Sequence, residues 1–164
     1  MAEDRFPMTP PCKKRLYEEL RRLKEVERPK NVAEIEAALE HGDLRENAEY
    51  HAAKEKQAEI AARMQALEYK LSRALVIDPS EVDSETIGFG ASVKLLDLDT
   101  DEEVAYVLLG EDETDIDAGR ISIGSPIARA LIGKREGDEV TVRLPKGTRD
   151  LEVLSVEYKA IESA

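Results

Sequence analysis

His41-Gly42-Asp43-Leu44-Arg45-Glu46-Asn47-Ala48-Glu49-Tyr50 lies between two long charged segments whose apolar residues recur at helical spacing. Gly42 tolerates the left-handed backbone on which many helices end, so the stretch reads as the turn of a helical hairpin. Asp43 and Glu46 place two carboxylates three residues apart at that turn. Two explanations compete. Asp43-x-x-Glu46 has the spacing of a capping box, whose first side chain accepts from the free amides of a helix start while the second reaches back. Alternatively, both carboxylates face outward as half of a site for a hard cation. Mg²⁺ takes one or two protein carboxylates and completes its shell with water and phosphate oxygens. The other half would then come from a partner.

Upstream of the turn, Thr9-Pro10-Pro11 has the chemistry of a helix start, with Thr9 as N-cap and prolines where the first amides need no partner. Leu16, Leu20 and Leu23 follow as an apolar seam. Continued in the same register, the seam reaches Glu27, Lys30 and Glu34, whereas the apolar residues present are Val32, Ile35 and Leu39. A jump of the seam at Arg28-Pro29, through a kink or short break, is therefore expected. Downstream, Ala53, Gln57, Ile60, Met64, Leu67, Leu71 and Ala74 alternate spacings of four and three, the pattern of a coiled coil. About 28 residues at about 1.5 Å each make a rod on the order of 40 Å long. Lys13, Lys14, Arg15, Arg21, Arg22 and Lys24 are interleaved with Glu18, Glu19 and Glu25, as on a solvated helix face. A phosphate contact is the competing explanation for such cations, and Arg45, between the two acids of the turn, is the strongest candidate for one.

The helical pattern ends at Val76-Ile77-Asp78-Pro79-Ser80. The expected organisation is a polar leader at 1–8, a coiled-coil hairpin at 9–75, a linker at 76–90 and a small domain at 91–164. In that domain Ala91 to Leu98, Glu103 to Leu109, Glu139 to Leu144 and Leu151 to Tyr158 alternate as strands, and Ser125-Pro126 caps a short helix from Ile127 to Ile132. The expected fold is α+β, with four or five antiparallel strands and one inserted helix. The leader, without periodicity, is expected to be disordered or loosely attached.

Charge separates the two halves. The chain of 164 residues carries a net charge of −12; residues 1–75 hold 15 Lys/Arg and 15 Asp/Glu, residues 76–164 hold 9 and 21. The acidic half is suited to a basic protein surface, and nucleic acid, if touched, meets the first half. With one cysteine, Cys12, there is no intrachain disulfide, and Cys12 with His41 and His51 makes no zinc set. No apolar run approaches membrane-spanning length and no signal-peptide core is present, so no membrane partner and a cytoplasmic location are expected.

The turn motif, Arg28-Pro29 and the segment Ile123-Gly-Ser-Pro-Ile-Ala-Arg-Ala-Leu-Ile-Gly-Lys134 resemble the Gre family of bacterial transcript cleavage factors, on its GreA rather than its GreB side. The resemblance covers about residues 8 to 158. It implies a factor that is not itself an enzyme. Such a factor docks on bacterial RNA polymerase through an FKBP-like domain, inserts its coiled coil down the secondary channel, and stimulates the polymerase's own cleavage of backtracked nascent RNA. It further implies that Asp43 and Glu46 help hold a Mg²⁺ ion shared with the polymerase, with Arg45, Asn47 and Tyr50 positioning the RNA or the turn. Weak contacts of the coiled coil with DNA or RNA are expected from its basic residues alone. Two other activities compete. A channel-binding inhibitor of the same family would differ at the turn, where this chain keeps the cleavage pattern. A prolyl isomerase needs an apolar, aromatic-lined cavity, for which the second domain offers only Phe89, Tyr106 and Tyr158 and no tryptophan, so that domain reads as a docking module.

Overall fold

Pro29 governs the course of the first half. A proline inside an α-helix lacks the N–H for its hydrogen bond, and its ring meets the carbonyl four residues back. The computed structural model, which describes residues 4–42 and 45–162, meets this with a π-helical turn, Leu23–Glu27, between helix α1 (Pro10–Arg22) and helix α2 (Arg28–Leu39). The Arg28 N–H reaches back five residues to the Leu23 carbonyl. The kink or short break expected at Arg28-Pro29 thus takes the form of a π turn, through which helical structure continues.

The extra residue of the π turn also corrects the expected seam. Val32 and Leu39 are exposed, at 43% and 47%. The inward stripe instead passes half-buried Leu23, Glu27 and Glu34 and the buried Asn31 and Ala38, and of the expected seam Ile35 is half-buried. The π turn lengthens one spacing from three to four, which moves the inward position from Lys30 to Asn31 and leaves the apolar residues one step further round the helix.

Helix α3 (Ala48–Ser72) returns along this stripe with Ala53, Ile60, Met64 and Leu67 buried, as its spacing predicts, while Gln57 faces solvent. Among the described residues, ion pairs across the hairpin include Arg63, which grips Glu19 with two bonds of 2.8 Å, Lys24 with Glu68 at 3.1 Å, and Lys56 with Glu34 at 3.4 Å. All are solvent-accessible, so each contributes at most about 1 kcal/mol. No described helix is long and apolar enough to cross a membrane.

The chain divides into two compact units, the hairpin on Lys13–Ala74 and a second unit on Leu75–Ala164 together with Arg5–Cys12. Part of the leader is therefore structured. Phe6–Met8 forms strand β1, which pairs with β2 (Ala74–Val76), and Met8 is buried. The physical reason is an apolar side chain with a place to go, reinforced when Glu113, itself buried, accepts hydrogen bonds from both the N–H and the hydroxyl of Thr9. The expected linker is likewise partly core, since Ile87 is buried in the main cluster and the Tyr158 hydroxyl donates to the Thr86 carbonyl at 2.6 Å.

Strands β3 (Ala91–Asp97), β4 (Glu103–Leu109), β5 (Arg120–Ser122), β6 (Glu139–Leu144) and β7 (Gly147–Tyr158) form one sheet in the order β5-β4-β3-β7-β6. Its pairs are antiparallel except β4 with β5, which run parallel and correct the all-antiparallel expectation. Two short 3₁₀ turns, Glu111–Glu113 and Ile116–Ala118, carry the chain back so that Arg120 lies beside Val107. Gly119 closes this return with φ of +75°, where an added Cβ would stand 2.8 Å from the Ala105 carbonyl oxygen. Helix α4 (Pro126–Leu131), capped by the Ser125 hydroxyl as its sequence predicts, buries Leu131 against Val93, Leu95, Val142 and Val153.

Candidate functional site at the hairpin turn

The first helix ends where Gly42 was expected to end it. Amides of Glu40, His41 and Gly42 turn back to the carbonyls of Ala37, Ala38 and Leu39, and Gly42 adopts φ of +97°. Among the described residues no atom lies within 4 Å of a Cβ built at Gly42, and the left-handed backbone calls for glycine.

The second helix starts later than the capping-box spacing implies. Its N-cap is Asn47, whose side-chain oxygen accepts from the Tyr50 N–H at 3.0 Å. The Asn47 amide nitrogen donates across the hairpin to the Ala38 carbonyl at 2.6 Å. One side chain thus satisfies an orphan amide of α3 and fastens α3 to the end of α2. Asn47, expected to position the turn or RNA, makes both of these bonds within the hairpin. Asp43 lies outside the described residues.

This geometry removes Glu46 from capping, because it precedes the N-cap and stands outside the helix. Its side chain is exposed and makes no hydrogen bond or ion pair with the described residues. A carboxylate there is favoured by the amide end of α3, and it presents an accessible hard-oxygen donor. Arg45 is exposed beside it, with its carbonyl oxygen 3.4 Å from the His51 ring. Tyr50 is half-buried and meets His51 edge to face at 5.6 Å between centroids. Glu49 faces His41, Oε2 to Nε2 at 3.4 Å, a contact across the turn that periodicity does not reveal. Among the described residues no group of three or more His, Cys, Asp or Glu side chains is gathered to hold a metal ion.

Away from the turn, Asp97 and Arg149 pair at 3.3 Å in the second unit. The Asp97 carboxyl is held below its usual range, first by the Asp99 amide it accepts from and further by the Thr100 amide and the Arg149 guanidinium, against the opposing effect of burial. This carboxylate closes the β3–β4 turn and is structural. Ile116, in the acidic segment after β4, is 84% exposed, far more than the other large apolar side chains.

The described structure is thus a helical hairpin with the exposed Glu46 at its turn and a separate sheet unit whose acidic segment carries the exposed Ile116. Known proteins share this chain's sequence along both units. The N-terminal transcription elongation factor family matches residues 6–76 and the GreA/GreB C-terminal family matches residues 82–158. The chain belongs to the GreA/GreB family of transcription elongation factors. It is 54% identical over 160 residues to the transcription elongation factor GreA of Nitratiruptor sp., covering 98% of each chain. It is also 54% identical over 155 residues to GreA of Helicobacter hepaticus, covering 94% of this chain and 95% of that one. Among solved structures, GreA factor homolog 1 (Gfh1) of Thermus thermophilus is 30% identical, with 94% of this chain and 99% of that one covered and a TM-score of 0.43.

Proposed function

We propose that this protein is a transcript cleavage factor that binds bacterial RNA polymerase and stimulates the polymerase's cleavage of backtracked RNA, with its hairpin inserted through the secondary channel as a coiled-coil arm. The observation that carries this is the likeness to GreA proteins over 98% of the chain, which includes the acidic turn. The factor is not the catalyst. Glu46 suits Mg²⁺ by its chemistry: an exposed oxygen donor with no competing partner among the described residues. Asp43 and Glu46 would hold the ion together with ligands from the polymerase. When bound, it would help activate water and stabilise the leaving oxygen of a phosphodiester.

The chain's own residues prepare this half-site. Asn47 sets the start of α3 and pins the turn to α2, so that Glu46 leaves the helix at a defined point. Arg45 supplies the cation beside the acids and contacts RNA phosphate, and Tyr50, braced by His51, borders the same face. Basic residues of α1 add weak contacts with nucleic acid. The second unit, read as an FKBP-like sheet curled on a short helix, docks on the polymerase. Its acidic surplus and the exposed Ile116 suit a basic surface with an apolar recess.

Elongation complexes stalled in a backtracked state test this. Adding the protein with Mg²⁺ is expected to release short RNA fragments, and Asp43→Ala and Glu46→Ala are each expected to abolish the stimulation while polymerase binding persists. Wild-type cleavage by both variants would overturn the metal role. Slowed elongation with uncut RNA would point instead to a channel-binding inhibitor.

A further inference from the structure

The hairpin buries a polar residue between its helices. Asn31 is 1% exposed, in the inward stripe of α2, and its side-chain amide donates to the Ala53 carbonyl of α3 at 3.0 Å, across 22 residues of sequence. On the α2 side the inward stripe around it is small or charged, with Glu27, Glu34 and Ala38, while α3 presents Ala53 and the apolar Ile60 and Met64. The bulkier Val32 and Leu39 point to solvent. Small and polar inward residues permit several axial offsets with nearly equal apolar burial, and one buried asparagine in such a seam selects a single offset at some loss of stability.

We infer that Asn31 is a positioning residue: its bond to the Ala53 carbonyl locks the axial register of α2 against α3 and thereby the place at which the turn presents Glu46. Asn47 makes the second pin, at the turn itself. Two pins of the same chemistry leave the arm one register over its outer half. The consequence for cleavage rests on the function proposed above. Sliding one helix by a single residue displaces its end by about 1.5 Å. Metal ligands tolerate about 0.2 Å, and misplacement by about 1 Å costs on the order of a hundredfold in rate.

The test variant is Asn31→Leu, which has similar length, removes the donor and can extend into the open groove of about 580 Å³ lined by Val32, Ile60 and Met64 beside it. Nitroxides at the exposed Glu36 and Glu59, with buried Cys12 replaced by alanine, report the offset by pulsed dipolar spectroscopy on the full-length protein. The wild-type arm is expected to give one narrow distance. The leucine variant is expected to give a second population displaced by about 3 to 5 Å, up to one helical turn, with a Tm that is unchanged or raised. In the cleavage assay its maximal rate is expected to fall about ten- to a hundredfold, while the concentration giving half-maximal stimulation is unchanged. A single unshifted distance in the leucine variant overturns the register lock, whatever the cleavage result. A shifted distance with full cleavage overturns the positioning role. If the wild-type protein stimulates no cleavage, the distances still decide the lock, and the failure belongs to the proposed function. Asn31→Ser, a shorter donor, is expected to keep more of the single distance than leucine; equal broadening in both would overturn the hydrogen bond as its cause.

Discussion

Replacing Asn47 by alanine removes two hydrogen bonds that hold the turn: the acceptor for the Tyr50 amide at 3.0 Å and the donor to the Ala38 carbonyl at 2.6 Å. Loss of an N-cap costs about 1 kcal/mol, and loss of a neutral hydrogen bond about 0.5 to 1.5 kcal/mol. The Ala38 carbonyl keeps the His41 amide as a partner at 3.2 Å, so no acceptor is stranded and the total should stay near 2 kcal/mol. The effect is local, and global melting of a two-unit chain would blur it. Hydrogen exchange of the Tyr50 amide reads it directly. Protection of that amide is expected to fall about thirtyfold in Asn47→Ala, at 1.4 kcal/mol per factor of ten. Asn47→Ser keeps a cap acceptor and loses only the bond across the hairpin, so its loss should be about five- to tenfold. Unchanged Tyr50 protection in both variants would refute the double role of Asn47. Equal losses in both would show that the cap contributes nothing beyond the bond to Ala38.

Two further outcomes are expected. Arg45→Ala should reduce the salt sensitivity of stimulated cleavage, because one phosphate contact fewer releases one counterion fewer; superimposable rate-against-salt curves for wild type and variant would end the phosphate contact. The Glu19 carboxyl is held below its ordinary value, chiefly by hydrogen bonds from Arg63, with burial opposing and the charges of Arg63 and Arg15 assisting. A carboxyl lowered on folding stabilises above its unfolded range, and that contribution disappears as the pH falls through its folded value. Wild type should therefore exceed Glu19→Gln in hairpin stability at pH 7 by less than about 1 kcal/mol. The gap should close below the ordinary glutamate range, and a constant gap from pH 7 to pH 3 in chemical denaturation would refute the pairing.

The sequence by itself determined what depends on near neighbours along the chain. The turn at Gly42, the long second helix with Ala53, Ile60, Met64 and Leu67 inward, the Ser125 cap and four of the five main strands follow from periodicity, capping chemistry and glycine's access to positive φ. The acidic motif of the turn is contiguous and so stands out in the sequence as a candidate site, of which Glu46 is the described member. Only the tertiary structure decided which residues meet. Asn31 rather than Val32 faces α3, because the π turn forced by Pro29 adds a residue to one spacing, and a pattern of fours and threes has no term for that. Asn47 caps α3, and its amide also reaches Ala38 on the opposite helix, gaining a second bond for the same ordering cost. Phe6–Met8 becomes a strand and Glu113 a buried anchor because each satisfies a backbone or hydroxyl group distant in sequence. β5 runs parallel because the two turns before it return the chain to Val107. In each case the deciding partner is far away in the sequence, and a local signal describes a residue's preference without naming the group that fulfils it.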